Sequence, residues 1–314
     1  FIKEILINLN KFIKIDGFIS FNPFYVAERE LQNACADLNI NFLVCHKEGI
    51  VFGKVNKIRK NYWRERYGNI NIKALSVYNK YTKKAFIDSK IITENKISVI
   101  GLPRSDEYFI SKNKINENYI LFLMVQNTAG LPYPGGEWYT KGITGKYKKV
   151  NWSYTALKTT KLLINFAKKR GDIKFIFKTK PNYSKKEISI YQKSNLMNCK
   201  LIEGGSSINL IKNAKIIIAL NTTGILEGML MGKKIIIPNF EKNLKLYKDF
   251  FFNPKKNAEV IYNEKKFENK IEEMLSRKKN QIDKKQIQKI NKKYIDNING
   301  NSGSRLKNFI LKNL

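Results

Sequence analysis

The chain has 314 residues, 43% of them hydrophobic, which allows one large or two ordinary α/β domains with sizeable cores. Its 59 basic and 26 acidic residues leave a formal charge of +33, spread along the length rather than gathered in one tail. Three scattered cysteines without a CxxC pair argue for a reducing compartment and against a disulfide scaffold or structural zinc. The single histidine, His46, leaves histidine-rich metal sites and serine–histidine hydrolases little material. No apolar run approaches membrane-spanning length, the longest being strand-sized pieces such as Tyr119–Val125. No signal peptide is expected, and an opening Phe1 in place of Met leads us to expect a trimmed or incomplete N-terminus.

A charge of this size ordinarily points to nucleic acid, anionic lipid or an anionic substrate. Here Lys, Asn and Ile saturate the sequence, as an AT-rich genome produces without any binding purpose. The charge therefore supports an anionic ligand or a membrane-surface contact weakly, and specific nucleic acid poorly.

In chain order, a helix-like start leads to a strand at Asp16–Ser20, broken by Asn22-Pro23. Ala27–Leu38 has helical spacing, with Leu31, Ala34, Cys35 and Leu38 on one face. Asn41–Cys45 reads as a buried strand ending in His46-Lys47-Glu48-Gly49, and a polar cluster just after a parallel strand is where open α/β sheets place ligand-binding residues. Residues 54–67 are basic and aromatic without clear periodicity. Ser76–Ser89 reads as a helix and Ile97–Ile100 as a strand. Gly101-Leu102-Pro103-Arg104-Ser105-Asp106 interrupts the pattern, and the short polar stretch Lys112–Asn118 marks a domain boundary. With about three clear strands, the first half is shorter than a complete Rossmann-like half.

The second half repeats the βα logic: strand Tyr119–Val125, a long Gly-, Pro- and Tyr-rich loop from Gln126 to Lys149, helix Trp152–Arg170, strand Lys174–Lys178 and helix Lys185–Leu196. A short strand at Leu201–Ile202 and a helix at Ser207–Asn213 follow. Such alternation specifies a mostly parallel sheet with helices on both faces. From about Glu264 the chain turns helical and lysine-rich, with helices to Arg277 and near Lys284–Ile298, a Gly-Asn-Ser-Gly break at 300–303 and a last amphipathic turn, Leu306–Leu314. Solvated helix faces account for most of these lysines. We place boundaries at 1–112, 113–275 and 276–314, the last segment being helices that pack back across the domains.

The most informative stretch is Ile211–Phe240. Lys215–Leu220 is a continuous apolar run, as in a parallel strand buried on both faces. Asn221-Thr222-Thr223-Gly224 supplies N-cap residues and a small residue at the mouth of a short helix, whose apolar face is Ile225, Leu226, Met229 and Leu230 and whose stop is Gly232. Lys234–Pro238 is the next buried strand. A helix N-terminus favours an anion, and Glu227 lies one turn beyond Thr223 on the same side. Two readings stay open: a phosphate at the threonine pair with a sugar hydroxyl at Glu227, or a plain helix cap with Glu227 in solvent.

The loops HKEG (46–49), QNTAG (126–130), KTKPN (178–182) and NTTGILE (221–227), with GLPRSD (101–106), resemble the GT-B glycosyltransferase superfamily. The nearer likeness is to bacterial surface-carbohydrate and capsule glycosyltransferases, and it extends from about Phe18 to Leu311. The resemblance implies an α/β fold of two Rossmann-like, GT-B-type domains with a helical C-terminal extension, the first domain facing the acceptor and the second holding a nucleotide-sugar. It implies donor and phosphate contacts from Arg104, Gln126, Lys178, Lys180, Pro181, Asn221, Thr222, Thr223, Gly224 and Glu227, and an acceptor-side motif at His46 and Glu48. Lys180 stands where the family usually has histidine. A lysine neutralises phosphate as a point charge but is a poor acid near neutral pH.

The chemistry agrees with that assignment. Leaving phosphate needs a helix N-terminus and cations such as Lys178, Lys180 or Arg104, and an acceptor hydroxyl needs a carboxylate base, for which Glu48 is the candidate. His46 is read equally well as a packed structural histidine. No paired-aspartate motif follows a strand, so donor binding is expected to be metal-independent, with the nucleotide-sugar a substrate and no cofactor. The expected partners are that donor and a carbohydrate or glycolipid acceptor. The expected place is the cytoplasm, with peripheral contact on an anionic inner membrane face as an option. Within the same fold, a CDP-alcohol glycerophosphotransferase or a UDP-sugar 2-epimerase-like enzyme is the alternative. From another class, a non-catalytic basic RNA- or membrane-binding protein competes.

Overall fold

A computed structural model describes residues 1–47, 55–110, 119–124, 152–179, 185–220, 222–241, 258–277, 284–297 and 299–314. The chain divides into two compact units, Phe1–Ile110 with Gln288–Leu314, and Ser111–Ile287.

The first unit carries a four-stranded parallel sheet of order β1-β2-β3-β4, from β1 (Gly17–Ser20), β2 (Asn41–Cys45), β3 (Ala74–Val77) and β4 (Ile97–Val99). One face is covered by α1 (Ile2–Asn10), α2 (Val26–Asp37), α3 (Val55–Tyr67) and α4 (Lys80–Ser89). Their shared core joins Leu6, Ala34, Cys35, Trp63 and Phe86 to Phe42, Val44 and Leu75. The single-direction order explains this. Each right-handed crossover to the next parallel strand puts its helix on the same side.

The expected helix over Ser76–Ser89 is corrected: Ala74–Val77 is a strand, and the helix starts at Lys80. Asn79 ends the strand by capping the helix, its side chain accepting from Thr82 N–H at 2.8 Å. The unpatterned stretch 54–67 is the helix α3. Its inward residues are aromatic: Trp63 stacks on Phe86 at 4.5 Å and Tyr67 on Phe24 at 4.4 Å between ring centroids.

The other face of this sheet is covered by the last helix, α12 (Ser302–Asn313), which follows the short α5 (Glu107–Ile110) and α11 (Lys284–Ile290) in the chain and sets Leu306, Phe309 and Ile310 against Leu43, Ala74 and Ile100. The helix begins at Ser302, four residues before the expected Leu306, because Asp106 caps it from a distant part of the chain. The Asp106 carboxylate accepts from Ser302 N–H at 3.1 Å and Gly303 N–H at 2.7 Å, and from the buried Asn297 amide. Gly101 permits the approach: its φ is +81°, and a Cβ there would run into Ser302 and Arg305.

The second unit holds a six-stranded parallel sheet of order β10-β9-β8-β5-β6-β7. Its strands are β5 (Tyr119–Leu123), β6 (Lys174–Thr179), β7 (Cys199–Glu203), β8 (Ile216–Ala219), β9 (Lys234–Pro238) and β10 (Glu259–Ile261). The crossover helices are α6 (Trp152–Lys169), α7 (Lys185–Gln192), α8 (Ile208–Asn213) and α9 (Thr223–Leu230), and α10 (Phe267–Ser276) follows β10. Every residue of β5 and β8 is buried, as their unbroken apolar runs require. Phe122, Phe166, Phe175, Phe177 and Phe267 fill the core between sheet and helices. The chain runs outward from β5 through β6 to β7, then returns to β8 on the other side of β5. That reversal is a topological switch point between the carboxyl ends of β5 and β8, where open α/β sheets hold ligands.

Candidate functional site

The helix α9 opens at this switch point. Leu123, Ala219 and Lys178 share one row of the sheet, since Leu123 pairs with Ala219 on one side and with Lys178 on the other. Three residues beyond Ala219, Thr222 takes extended backbone angles and its Oγ1 accepts from Gly224 N–H at 3.3 Å. The helix lies very close to the sheet along a glycine stripe. A Cβ at Gly224 would collide with Leu123, and one at Gly228 would stand 2.6 Å from Ile217 Cδ1. Gly232, at φ +69°, ends the helix as the sequence suggested.

Glu227 is 2% exposed. The reading in which it points at solvent is thereby excluded, and Glu227 follows Thr223 by one helical turn. The mouth offers backbone N–H groups and the positive end of the helix dipole to an anion.

Lys178 lies near the end of β6. It is 6% exposed, and its ammonium donates to the carbonyls of Thr179, at 2.8 Å, and of Gly204. Burial holds its pKa below the ordinary lysine value. The ammonium thus ties the end of β6 to the turn after β7. Sequence reasoning assigned no role to two other buried polar residues. Thr179 is buried and its Oγ1 makes no hydrogen bond, and Glu187, in the first turn of α7, is wholly buried with neither carboxylate oxygen hydrogen-bonded. No sequence pattern marks them, because their burial comes from tertiary packing.

In the first unit, His46 follows β2 as expected. It is 3% exposed, its backbone N–H donates to Ser76 O at 3.0 Å, and its ring stands edge-on to Phe86 at 5.3 Å and to Phe24 at 6.3 Å. The imidazole is part of the aromatic core. Arg104, also in this unit, is exposed on a short turn at Pro103–Asp106. Asp106, two residues on, is the member of that motif with a visible task, the cap of α12. Glu48, Gln126, Lys180, Pro181 and Asn221 lie outside the described residues. Among the described residues, no three His, Cys, Asp or Glu side chains gather as a metal would require, and no helix is long and apolar enough to cross a membrane.

No protein-family model and no curated protein matches the chain. Solved structures do. UDP-GlcNAc 2-epimerase from Neisseria meningitidis, bound to UDP-GlcNAc, aligns over 99% of this chain and 80% of its own at 12% identity, with a TM-score of 0.55. The Methanocaldococcus jannaschii UDP-GlcNAc 2-epimerase, in complex with UDP-GlcNAc and UDP, aligns over 99% and 80% at 14% identity, with a TM-score of 0.50. The wall teichoic acid polymerase TagF aligns over 87% of this chain and 70% of its own at 14% identity, with a TM-score of 0.51. At these identities the likeness is one of fold. The chain is an α/β protein of GT-B type, with two Rossmann-like units built on parallel sheets of four and six strands.

Proposed function

We propose that the chain is a glycosyltransferase that moves a sugar from a nucleotide-sugar to a surface polysaccharide or glycolipid acceptor in the cytoplasm. The observation that carries this reading is the mouth of α9: a threonine-capped helix N-terminus at the switch point, with the buried Glu227 one turn in. A donor diphosphate at this mouth meets backbone N–H groups and the helix dipole where negative charge grows as the leaving group departs. Glu227 accepts a hydroxyl of the donor. Glu48 takes the proton of the acceptor hydroxyl, whose oxygen bonds to the anomeric carbon as the bond from that carbon to the nucleoside diphosphate breaks.

Calorimetric titration with CMP, CDP, UDP and GDP at moderate salt tests the site. One nucleotide is expected to bind selectively, and Thr223→Val and Glu227→Gln are each expected to weaken it. Equal, salt-sensitive binding of all four, indifferent to both substitutions, would leave a basic protein without a donor site. Selectivity for CDP would favour transfer from a CDP-alcohol. A 2-epimerase reading is supported by the two neighbours that hold UDP-GlcNAc. Incubation with UDP-GlcNAc decides it, since an epimerase inverts C2 with no acceptor present and a transferase does not.

A further inference from the structure

We propose that Asn239 is a hydroxyl-reading residue of the site at the mouth of α9, its Oδ1 accepting from a hydroxyl that adjoins the diphosphate of the nucleotide-sugar. This assignment rests on the donor reading of that mouth, and it adds a residue that no sequence motif marks.

The sheet determines where Asn239 lies. It comes directly after β9, and its backbone N–H continues the ladder by donating to Ile261 O at 2.8 Å. Ile236 and Phe240 belong to the core that contains Phe267, with the Phe240 ring edge-on to Phe267 at 5.5 Å between centroids. Ile235 is on the opposite face, where its Cδ1 would stand 3.3 Å from a Cβ on Gly228 of α9. Side chains alternate along a strand, so Asn239 falls with Ile235 on the α9 face. Register brings it to the edge where the helix opens. Ile218 is level with Ile236 on the neighbouring strand, and Thr222 is four residues past the first as Asn239 is three past the second.

Hydrogen bonding sets this residue apart. Among the described residues five asparagines are buried: Asn22, Asn79, Asn239, Asn291 and Asn297. In four of them Oδ1 accepts from a nearby backbone N–H, of Phe24, Thr82, Asn297 and Gly300 in turn, which is the ordinary structural use of the residue. Asn239 is 6% exposed, yet its Oδ1 is buried with no hydrogen bond. Its backbone is held on both sides, since Glu241 N–H donates to Thr155 Oγ1 at 3.2 Å at the start of α6. A fixed backbone that carries an unused buried acceptor is a contact held ready for a ligand.

The atom without a partner decides which ligand group it takes. A carboxamide oxygen needs a hydrogen, and the oxygens of an ionised diphosphate carry none. The diphosphate therefore belongs to the N–H groups of α9, and the group at Asn239 is a neutral hydroxyl beside it. Glu227, on α9 itself, is the other acceptor of the proposed site. An anion site with acceptors on two adjoining elements suits a diphosphate that has a polyol on each side, ribose on one and the transferred sugar on the other.

Asn239→Ala and Asn239→Val test this against the unsubstituted chain in two measurements. The first is calorimetry with whichever of CDP, UDP and GDP binds best, its 2′-deoxy and 3′-deoxy forms, and its glucose conjugate. The second is amide hydrogen exchange of residues 216–240 without nucleotide. Affinity is expected to fall about tenfold in both variants. If the bare diphosphate already shows the loss and one deoxy form does not, the hydroxyl is the ribose's. If only the glucose conjugate shows it, the hydroxyl is the transferred sugar's. In either case exchange without nucleotide is expected to be as slow as in the unsubstituted chain or slower, because an unpaired buried acceptor has been removed. The proposal is overturned if both variants bind every ligand as the unsubstituted chain does. It is equally overturned if both exchange faster without nucleotide, the mark of a structural asparagine. Nucleotide binding that Thr223→Val weakens and the Asn239 variants leave unchanged would sink this assignment alone, and no nucleotide binding at all would sink the donor reading with it.

Discussion

The close seat of α9 on the sheet can be tested by a pair of substitutions that should cancel. In Gly224→Ala the new methyl falls on Leu123 Cδ1, with Ile211 Cδ1 a further 3.5 Å neighbour. Leu123 is 9% exposed and held between β6 and β8, so it has little room to turn away. Overpacking of this kind costs about 1–3 kcal/mol. Alanine returns up to about 1 kcal/mol of helix propensity. A net loss of about 1–2 kcal/mol is expected from Gly224→Ala alone. Leu123→Ala alone should cost about 2–3 kcal/mol, near the low end for a buried leucine because this one is not wholly enclosed. In the Leu123→Ala background the clash is gone, so the added Gly224→Ala should be neutral or stabilising by up to about 1 kcal/mol. The assay is urea-dependent hydrogen exchange of residues 216–230, which follows this segment even if the two units unfold separately. Nucleotide affinity in the four proteins should follow the same pattern, since the clash displaces the helix mouth. Equal costs for Gly224→Ala in both backgrounds would refute the contact.

Asp106→Ala should destabilise the first unit by about 2–4 kcal/mol, because one carboxylate holds two N–H groups of α12 and the Asn297 amide. Asp106→Asn should recover part of that loss, read as resistance of residues 302–313 to proteolysis. Burial pushes the Cys35 thiol up to about 11 from 9.0. Above pH 9 the unfolded chain loses this proton first, so stability should fall between pH 9 and 11, by about 2–3 kcal/mol at full ionisation. Cys35→Ala should remove that part of the slope in urea titrations. Lys178 has the opposite sign. Its native pKa lies below 10.5, so the unfolded chain binds the extra proton and stability gains as pH rises through the native value towards 10.5. Lys178→Met should lack this gain, and a stability difference between the two proteins that stays constant from pH 8 to 11 would contradict the buried ammonium.

The strands were the legible part of the fold. A parallel strand buried on both faces must be apolar without alternation, and Asn41–Cys45 and Lys234–Pro238 agree with their expected bounds residue for residue. Errors came where two signals adjoin. The run Ala74–Val77 leads through Tyr78 into the cap Asn79, and reading across that cap merged a four-residue strand with a helix. The helix α3 was missed because its core contacts are Trp63 and Tyr67, one turn apart, among many lysines and arginines. The strand Glu259–Ile261 is three residues long at a sheet edge, below what any pattern resolves.

At the site, locality decided what could be read. The Thr222 cap and the Gly232 stop are contacts within four residues of themselves, so sequence reaches them. The partners of Lys178 and Asp106 are not local. Gly204 is 26 residues from Lys178, and Ser302 is 196 from Asp106. A motif shows that a lysine follows a strand, but which oxygen meets its ammonium depends on the strand next to it. In KTKP the first lysine is already engaged by two carbonyls, one of them on the turn after β7. Its positive charge therefore holds that turn in place, and under the proposed function direct neutralisation of a donor phosphate would fall to the N–H groups of α9 and to the second lysine of the pair, Lys180. Histidine in place of Lys180 would add a proton donor near neutral pH. With lysine there, the proposed transfer would have the leaving nucleotide depart as an anion stabilised by charge and helix dipole alone.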